Sequence, residues 1–165
     1  MKLPIKLPLL ALLAMLSFSS CSTHNLDDDA EAIELKLVAQ QAKLIELEIL
    51  ELINDHRISQ GLNPLEDMDI VKSVAFSHTD YMVDSGEVSH DNFYSRSNYL
   101  KSHAGAKRVS ENVAYGYSSA ESVVRAWLKS EAHKNNLEGD YTNFDVSAEK
   151  NEEGRWYYTN IFIKK

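Results

Sequence analysis

One cysteine in 165 residues excludes an intramolecular disulfide, so the fold must be held by its own core. Positive charge is also in short supply. Lys and Arg number 17 against 25 Asp and Glu, which argues against nucleic acid or an anionic bilayer surface as the ligand, since both need a basic footprint. No apolar run reaches the ~20 residues of a membrane-spanning helix, and no repeats or low-complexity tracts occur. What is present is an ordinary globular composition, 44% hydrophobic and 25% charged. A chain of this length has room for one domain once targeting and linker segments are set aside.

Position decides what the lone thiol is for. Met1 to Ser20 carries Lys2 and Lys6, an apolar run from Leu7 to Leu16 and the small residues Ser19 and Ser20, which is the layout of a signal peptide over residues 1–20. The ending Phe18-Ser19-Ser20-Cys21 resembles a bacterial lipobox, in which the thiol is acylated and becomes the mature N-terminus. Ser19, Ser20, Ser22 and Thr23 offer no core in which a cysteine could instead be buried. Cleavage there leaves 15 basic residues against all 25 acidic ones, a balance of −10. Residues 21–42 then read as a tether and helical extension, with Asp27, Asp28 and Asp29 placed to cap the next helix.

From Ala30 to about Gln60 strong helix formers place Ile33, Leu37, Leu44 and Leu47, and Leu35, Val38, Ile45, Ile49 and Leu52, at helical spacing. If continuous, this helix runs ~45 Å and stops at Gly61 and Pro64. Its first half reads equally as a spacer, a lid on the domain or a seam for self-association. A second helix is expected from Asp67 to Asp84, ended by Gly86. Asp91 to Lys107, rich in Asn, Ser, Gly and Tyr, reads as a loop. Val109 to Tyr117 reads as extended. A third helix begins at Ser118 or Ser119, where Ser118 and Glu121 have capping-box spacing, and turns Val123, Val124, Trp127 and Leu128 inward. Phe144 to Ala148 and Arg155 to Ile163 alternate like strands around the turn-like Asn151-Glu152-Glu153-Gly154. Helices first and strands late favour an α+β fold, with helices packed on a small antiparallel sheet.

Four segments, in order, carry a family resemblance: Leu52-Ile53-Asn54-Asp55-His56-Arg57 with Gly61-Leu62-Asn63-Pro64-Leu65, then Ala75-Phe76-Ser77-His78-Thr79-Asp80-Tyr81-Met82, then Ser110-Glu111-Asn112-Val113-Ala114, and last Ala126-Trp127-Leu128-Lys129-Ser130-Glu131-Ala132-His133. The tail Trp156-Tyr157-Tyr158-Thr159-Asn160-Ile161-Phe162 fits a final strand. Together they resemble the CAP superfamily of SCP-like, cysteine-rich secretory and pathogenesis-related proteins, in a short disulfide-free bacterial form covering residues 43–165. The resemblance implies an α-β-α sandwich whose cleft holds two histidines and two glutamates. Val88-Ser89-His90 stands where the family often has Phe-Ser-His, which makes His90 the first histidine. Glu111 matches the glutamate of Gly-Glu-Asn, and His133 matches the second histidine. Glu131 is the candidate second acid, without a certain counterpart.

The residues supply part of this on their own. If Val109 to Val113 is extended, Glu111 points to the same side as two valines. A carboxylate there needs a partner, because burying it alone is costly. Imidazole is a suitable one. Two imidazoles and a carboxylate can hold a divalent cation, zinc first among them, with the acid either ligating or orienting a ring. The same trio suits general acid–base chemistry near neutral pH. The spacing of His90, Glu111 and His133 forms no metal motif such as His-Glu-x-x-His, so convergence rests on the family fold. His78 falls on an apolar helix face and reads as a core histidine or a residue at the cleft edge. Trp127, Trp156, Tyr157 and Tyr158 read as core or cleft wall, since no basic patch accompanies them as nucleic-acid binding would require.

Three functions follow as expectations: an extracellular binding module on the bacterial cell envelope for a metal, lipid or peptide-like ligand; a metal- or histidine-dependent hydrolase; or a structural envelope or adhesion part. No activated nucleophile is visible, which favours the first. One acyl chain holds a protein only marginally at a membrane, so anchoring through Cys21 requires the multiple acylation of a lipoprotein. Replacing Cys21 with serine is expected to move the protein from the membrane to the soluble fraction on ultracentrifugation. Retention in the membrane fraction would contradict the lipid anchor.

Overall fold

A computed structural model describes residues 42–165. The expected signal peptide, Cys21 and the helical stretch from Ala30 to Gln41 lie outside the described residues. The elements are α1 (Leu44–Ser59), β1 (Glu66–Asp67), α2 (Asp69–Ser85), α3 (Phe93–Ala104), β2 (Arg108–Tyr115), α4 (Ala120–Lys129), α5 (Glu131–Leu137), β3 (Asn143–Lys150) and β4 (Trp156–Lys164). They form a four-stranded sheet in the order β1-β3-β4-β2. β2, β4 and β3 run antiparallel, as expected, while the two-residue β1 pairs parallel to β3 at Asn143 and Phe144.

Alternation along the strands sorts the sheet into two faces. Ala114, Phe144, Val146, Ala148, Tyr158 and Phe162 pack with Ile49 and Ile53 of α1, Val123, Val124 and Trp127 of α4 and Leu137 of α5. Ile161 and Ile163 face the other way, against Val71, Val74 and Ala75 of α2 and Leu100 and Ala104 of α3. The fold is therefore the α+β, α-β-α sandwich expected, with two cores rather than one.

Several boundaries differ from the sequence expectation. α1 starts at Leu44 because Lys43 is extended (φ −78°, ψ 153°), so no helix runs unbroken through this point. Its N-terminus is closed by Glu46, whose Oε2 accepts from the Lys43 N–H at 2.7 Å. Residues 91–107 are not a loop. They contain α3, where Arg96, Ser97, Leu100 and Ala104 recur at helical spacing and are buried, a signal hidden by the polar residues between them. α3 opens at Asn92 in the left-handed region (φ 58°) and closes at left-handed Gly105 (φ 69°). The capping pair of α4 is Ser119 with Ser122, not Ser118 with Glu121: Ser119 Oγ accepts from Ser122 N–H at 3.3 Å, and Ser122 Oγ from Ser119 N–H at 3.2 Å. The helix behind it breaks at Ser130, which is extended (φ −96°, ψ 119°), and α5 starts a new axis.

Beyond β1, the outer edge of β3 is closed by side chains. Ala148 N–H donates to Glu46 Oε1 at 2.8 Å, and Val146 C=O accepts from Lys72 Nζ at 2.6 Å. The two charges meet at 2.6 Å with side chains 1% and 8% exposed. A buried pair of this kind serves as backbone cover for an edge that would otherwise invite another strand. Lys72→Met takes the buried cation from Glu46, leaving it the Lys43 and Ala148 N–H groups and the more distant Lys43 ammonium at 3.8 Å, and is expected to cost ~3 kcal/mol, read from urea unfolding. Glu46→Gln with Lys72→Met should recover much of that loss. A single-variant cost as small as that of an exposed ion pair, ~0–1 kcal/mol, would show that the pair does not hold the edge.

Candidate functional site

Glu111 sits in the middle of β2 on the α2/α3 face, and its side chain is 1% exposed. Desolvating an ion there costs several kcal/mol unless its oxygens are engaged. Both are. Arg96 of α3, itself 3% exposed, makes a two-pronged contact, Nε to Oε2 and Nη2 to Oε1, each 2.8 Å. His90, in the α2–α3 connection, places Nδ1 at 2.9 Å from Oε1. A carboxylate only accepts, so Nδ1 carries the proton and Nε2 of the neutral ring is left with its lone pair. The His90 side chain is 53% exposed, which makes Nε2 accessible from outside.

Behind this pair lies His78 of α2, with Nε2 donating to Ser89 C=O at 2.8 Å and standing 3.8 Å from Glu111 Oε1. Tyr81 stacks on its ring at 5.9 Å and donates its hydroxyl to Asp91 at 3.1 Å. His78 is thus buried and second in line, and it also borders a hollow with Ser77, Tyr81, Asn92 and Arg96. Burial lowers its basicity below the ordinary 6.5, assisted by Arg96 and His90 against the pull of Glu111 and the Ser89 carbonyl. At 3.8 Å its contact with Glu111 is longer than a hydrogen bond.

A cleft of about 490 Å³ runs along β2, walled on one side by Val88, Ser89 and His90 and on the other by Ala126, Trp127, Ser130 and His133. Both candidate histidines therefore line one space. His133 comes into it because α4 turns at Ser130. Its carbonyl accepts from Asn112 Nδ2 at 3.1 Å, and Asn136 Nδ2 reaches Asn112 Oδ1 at 2.8 Å. Burial, then the neighbouring His90, keep His133 below its ordinary 6.5. Ser89 lines the cleft with His90, but its hydroxyl is met by the Asp91 N–H at 3.3 Å and, among the described residues, by no base. Glu131 is exposed at the start of α5 and is not among the cleft-lining side chains.

Arg96 is the residue that the sequence reading missed. An arginine in a stretch read as loop has no visible task, and only the hidden spacing of α3 could have flagged it. As donors for a cation, the cleft offers His90 Nε2, backed by Glu111 in the way carboxylates orient ligating rings, and His133. Among the described residues no group of three or more His, Cys, Asp and Glu is disposed to hold a metal ion. Two imidazoles fall one short of the three protein ligands usual for a catalytic zinc.

An α-β-α sandwich of this topology defines a class, and comparison places the chain in it. The model of the CAP family, described as the cysteine-rich secretory protein family, matches residues 50–162, and the chain belongs to that family. Among curated relatives, an uncharacterized membrane protein, YlbC, of Bacillus subtilis (strain 168) is 35% identical over 124 residues, covering 73% of this chain and 34% of its own length. YkwD of the same organism is 32% identical over 105 residues, covering 61% and 41%. The chain thus spans well under half the length of either. Among solved structures, an extracellular SCP-domain protein from Bacillus anthracis str. Ames superposes with a TM-score of 0.64 at 28% identity, covering 73% of this chain and 40% of that one. An outer surface protein from Borrelia burgdorferi shares the fold at TM-score 0.66 and 21% identity, covering 78% and 99%.

Acid should weaken this region in two stages. Burial alone would raise Glu111, but the hydrogen bond from His90 and the charge of Arg96 outweigh it and hold the carboxyl below its ordinary 4.5. Its stabilising contribution is complete above 4.5 and is lost as pH falls through the folded value. His78 and His133, lowered in the fold, make the unfolded chain the better proton acceptor once pH falls below 6.5, so stability is lost there too. Asp145 acts oppositely. Burial raises it to about 6 despite Lys72, so its contribution is present below 3.8 and lost as pH rises through 6. NMR titration is expected to place His78 and His133 below 6.5 and the Glu111 carboxyl below 4.5. Arg96→Met should move the Glu111 carboxyl upward, and an unmoved value would remove Arg96 from the account.

Proposed function

We propose that this domain is an extracellular binding module, anchored through lipid on Cys21, which takes a peptide-like ligand in the cleft between His90 and His133. The observation that carries this reading is the complete engagement of Glu111. Both of its oxygens are committed to Arg96 and His90 inside the protein, so among the described residues the cleft has no free carboxylate to act as base or ligand. What faces the ligand is His90 Nε2, His133, Ser130 and the apolar wall of Val88, Val113, Ala126 and Trp127. A few polar groups in a mostly apolar groove favour binding with orientation. A divalent cation, zinc first, would be held by His90 and His133 and completed by ligand or water.

The second reading is a hydrolase. It is favoured by the His90–Glu111 contact, which fixes the ring as a carboxylate fixes a general-base histidine, while the absence of a partnered nucleophile in the cleft weighs against it. Titrating the purified protein with fluorescent hexapeptide pools, and separately with zinc, decides between them. Replacing His90 and His133 together by alanine is expected to weaken both titrations about tenfold or more, equivalent to ~1.4 kcal/mol. Unchanged affinities would remove the cleft as the binding site. Turnover of a peptide and ester panel that disappears in Glu111→Gln would replace binding by catalysis as the function.

A further inference from the structure

The two edges of the sheet are finished differently. Glu46 and Lys72 close the β3 edge, as described above. On the β2 edge, the hydrogen bond from Gly116 N–H to Trp156 C=O sets the phase. With Arg108 opposite Lys164, even-numbered residues of β2 bond to β4, and odd-numbered residues turn their N–H and C=O outward. Two outward carbonyls are taken: Glu111 C=O accepts from Asn136 Nδ2 at 3.3 Å and Val113 C=O from Trp127 Nε1 at 3.2 Å. The N–H groups of Val113 and Tyr115 and the carbonyl of Tyr115 have no side-chain partner among the described residues, and these residues form the floor of the cleft.

The cleft does not end there. A second hollow of about 320 Å³ shares Tyr117 and Ala126 with it and is lined beyond them by Ser122, Arg125 and Lys129. Arg125 and Lys129 are four residues apart on α4, so they stand side by side on one helix face. Both are exposed, and neither is within salt-bridge distance of an acid among the described residues. Glu121, the one acid on α4, is four residues before Arg125, and the two charges feel each other without making a salt bridge. In a chain with a net charge of −8, two adjacent cations at the end of a groove favour an acidic ligand.

We propose that the cleft continues past Tyr117 and takes an extended peptide along the open edge of β2, with an acidic group of that peptide held between Arg125 and Lys129. The inference rests on the reading of the cleft as a binding site and adds the class of ligand and its direction. The open edge of β2 runs from Val113 to Tyr115, two residue steps or about 7 Å at ~3.4 Å each, before left-handed Gly116 (φ 81°) turns the chain toward Tyr117. Outward N–H and C=O groups are matched by a peptide backbone, as in strand addition, whereas a lipid chain leaves them unanswered. Charge-assisted hydrogen bonds to a carboxylate then fix which end of the peptide lies over α4.

The test uses the full chain and three pools of fluorescein-labelled, amidated hexapeptides, identical except for one terminal position fixed as glutamate, glutamine or lysine. Anisotropy titration is expected to rank the glutamate pool about fivefold or more tighter than the glutamine pool, a gap that narrows with salt. Arg125→Gln with Lys129→Gln should abolish that preference, and an unchanged urea-unfolding midpoint serves as the control for folding. Equal affinity for the glutamate and glutamine pools, or a preference that survives the double substitution, overturns the acidic-peptide proposal. The cleft reading stands in that case if replacing His90 and His133 by alanine still weakens every pool. Binding of all pools that is indifferent to the His90 and His133 replacements overturns both.

Discussion

A carboxylate 1% exposed beneath a helix is tolerable only because a guanidinium and an imidazole both reach it, and much of the site depends on that arrangement. α3 is largely polar along its length, and Arg96 ties it to the sheet from the middle. The same Arg96 also donates to the Asp91 carbonyl, holding the end of the segment that carries His90. Glu111 in turn fixes the tautomer of His90 and so decides that Nε2, not Nδ1, meets the ligand. Removing the carboxylate would leave Arg96 buried with its main acceptor gone, which is costlier than losing an exposed pair. Structural support and presentation of the histidine are therefore one interaction.

The sheet shows how a fold can hide one edge and use the other. At β3, charged side chains from α1 and α2 substitute for a neighbouring strand, and the backbone there is unavailable. At β2 the covering is partial. Asn136 and Trp127 occupy two carbonyls, and the residues after them border the groove. Such openings are the places where a sheet can pair with something else, and natural proteins usually close them. The histidines stand at one end of this opening and the cations of α4 at the other.

The architecture was legible because it rests on periodicity. Val71, Val74, Ala75, His78 and Met82 announce α2, and the alternation of residues 156–163 announces β4. Ordered motifs brought His90, Glu111 and His133 together where spacing alone could not. What was not legible depends on side chains acting across the fold. β1 is two acidic residues with no pattern of their own, held by backbone pairing to β3. α3 is masked by serine, asparagine and tyrosine on its exposed side. Ser118 and Ser119 offer equivalent caps on paper, and only the extended backbone at Ser119 (φ −144°, ψ 162°) selects the second. Arg96 needed both the hidden helix and the buried acid to acquire a meaning.

The break between α4 and α5 has a consequence for how the cleft can vary. In one unbroken helix, the six-residue step from Trp127 to His133 would leave the two side chains about 120° apart around the axis. They share a wall because Ser130 leaves the helical conformation and Asn136 moors the new axis to β2. The gap between indole and imidazole is thus set by the torsions of a single residue and by the tethers of Asn112 and Asn136, while the helix repeat that builds the core stays untouched. Relatives could widen or narrow this groove by small changes at the joint and inherit the same interior.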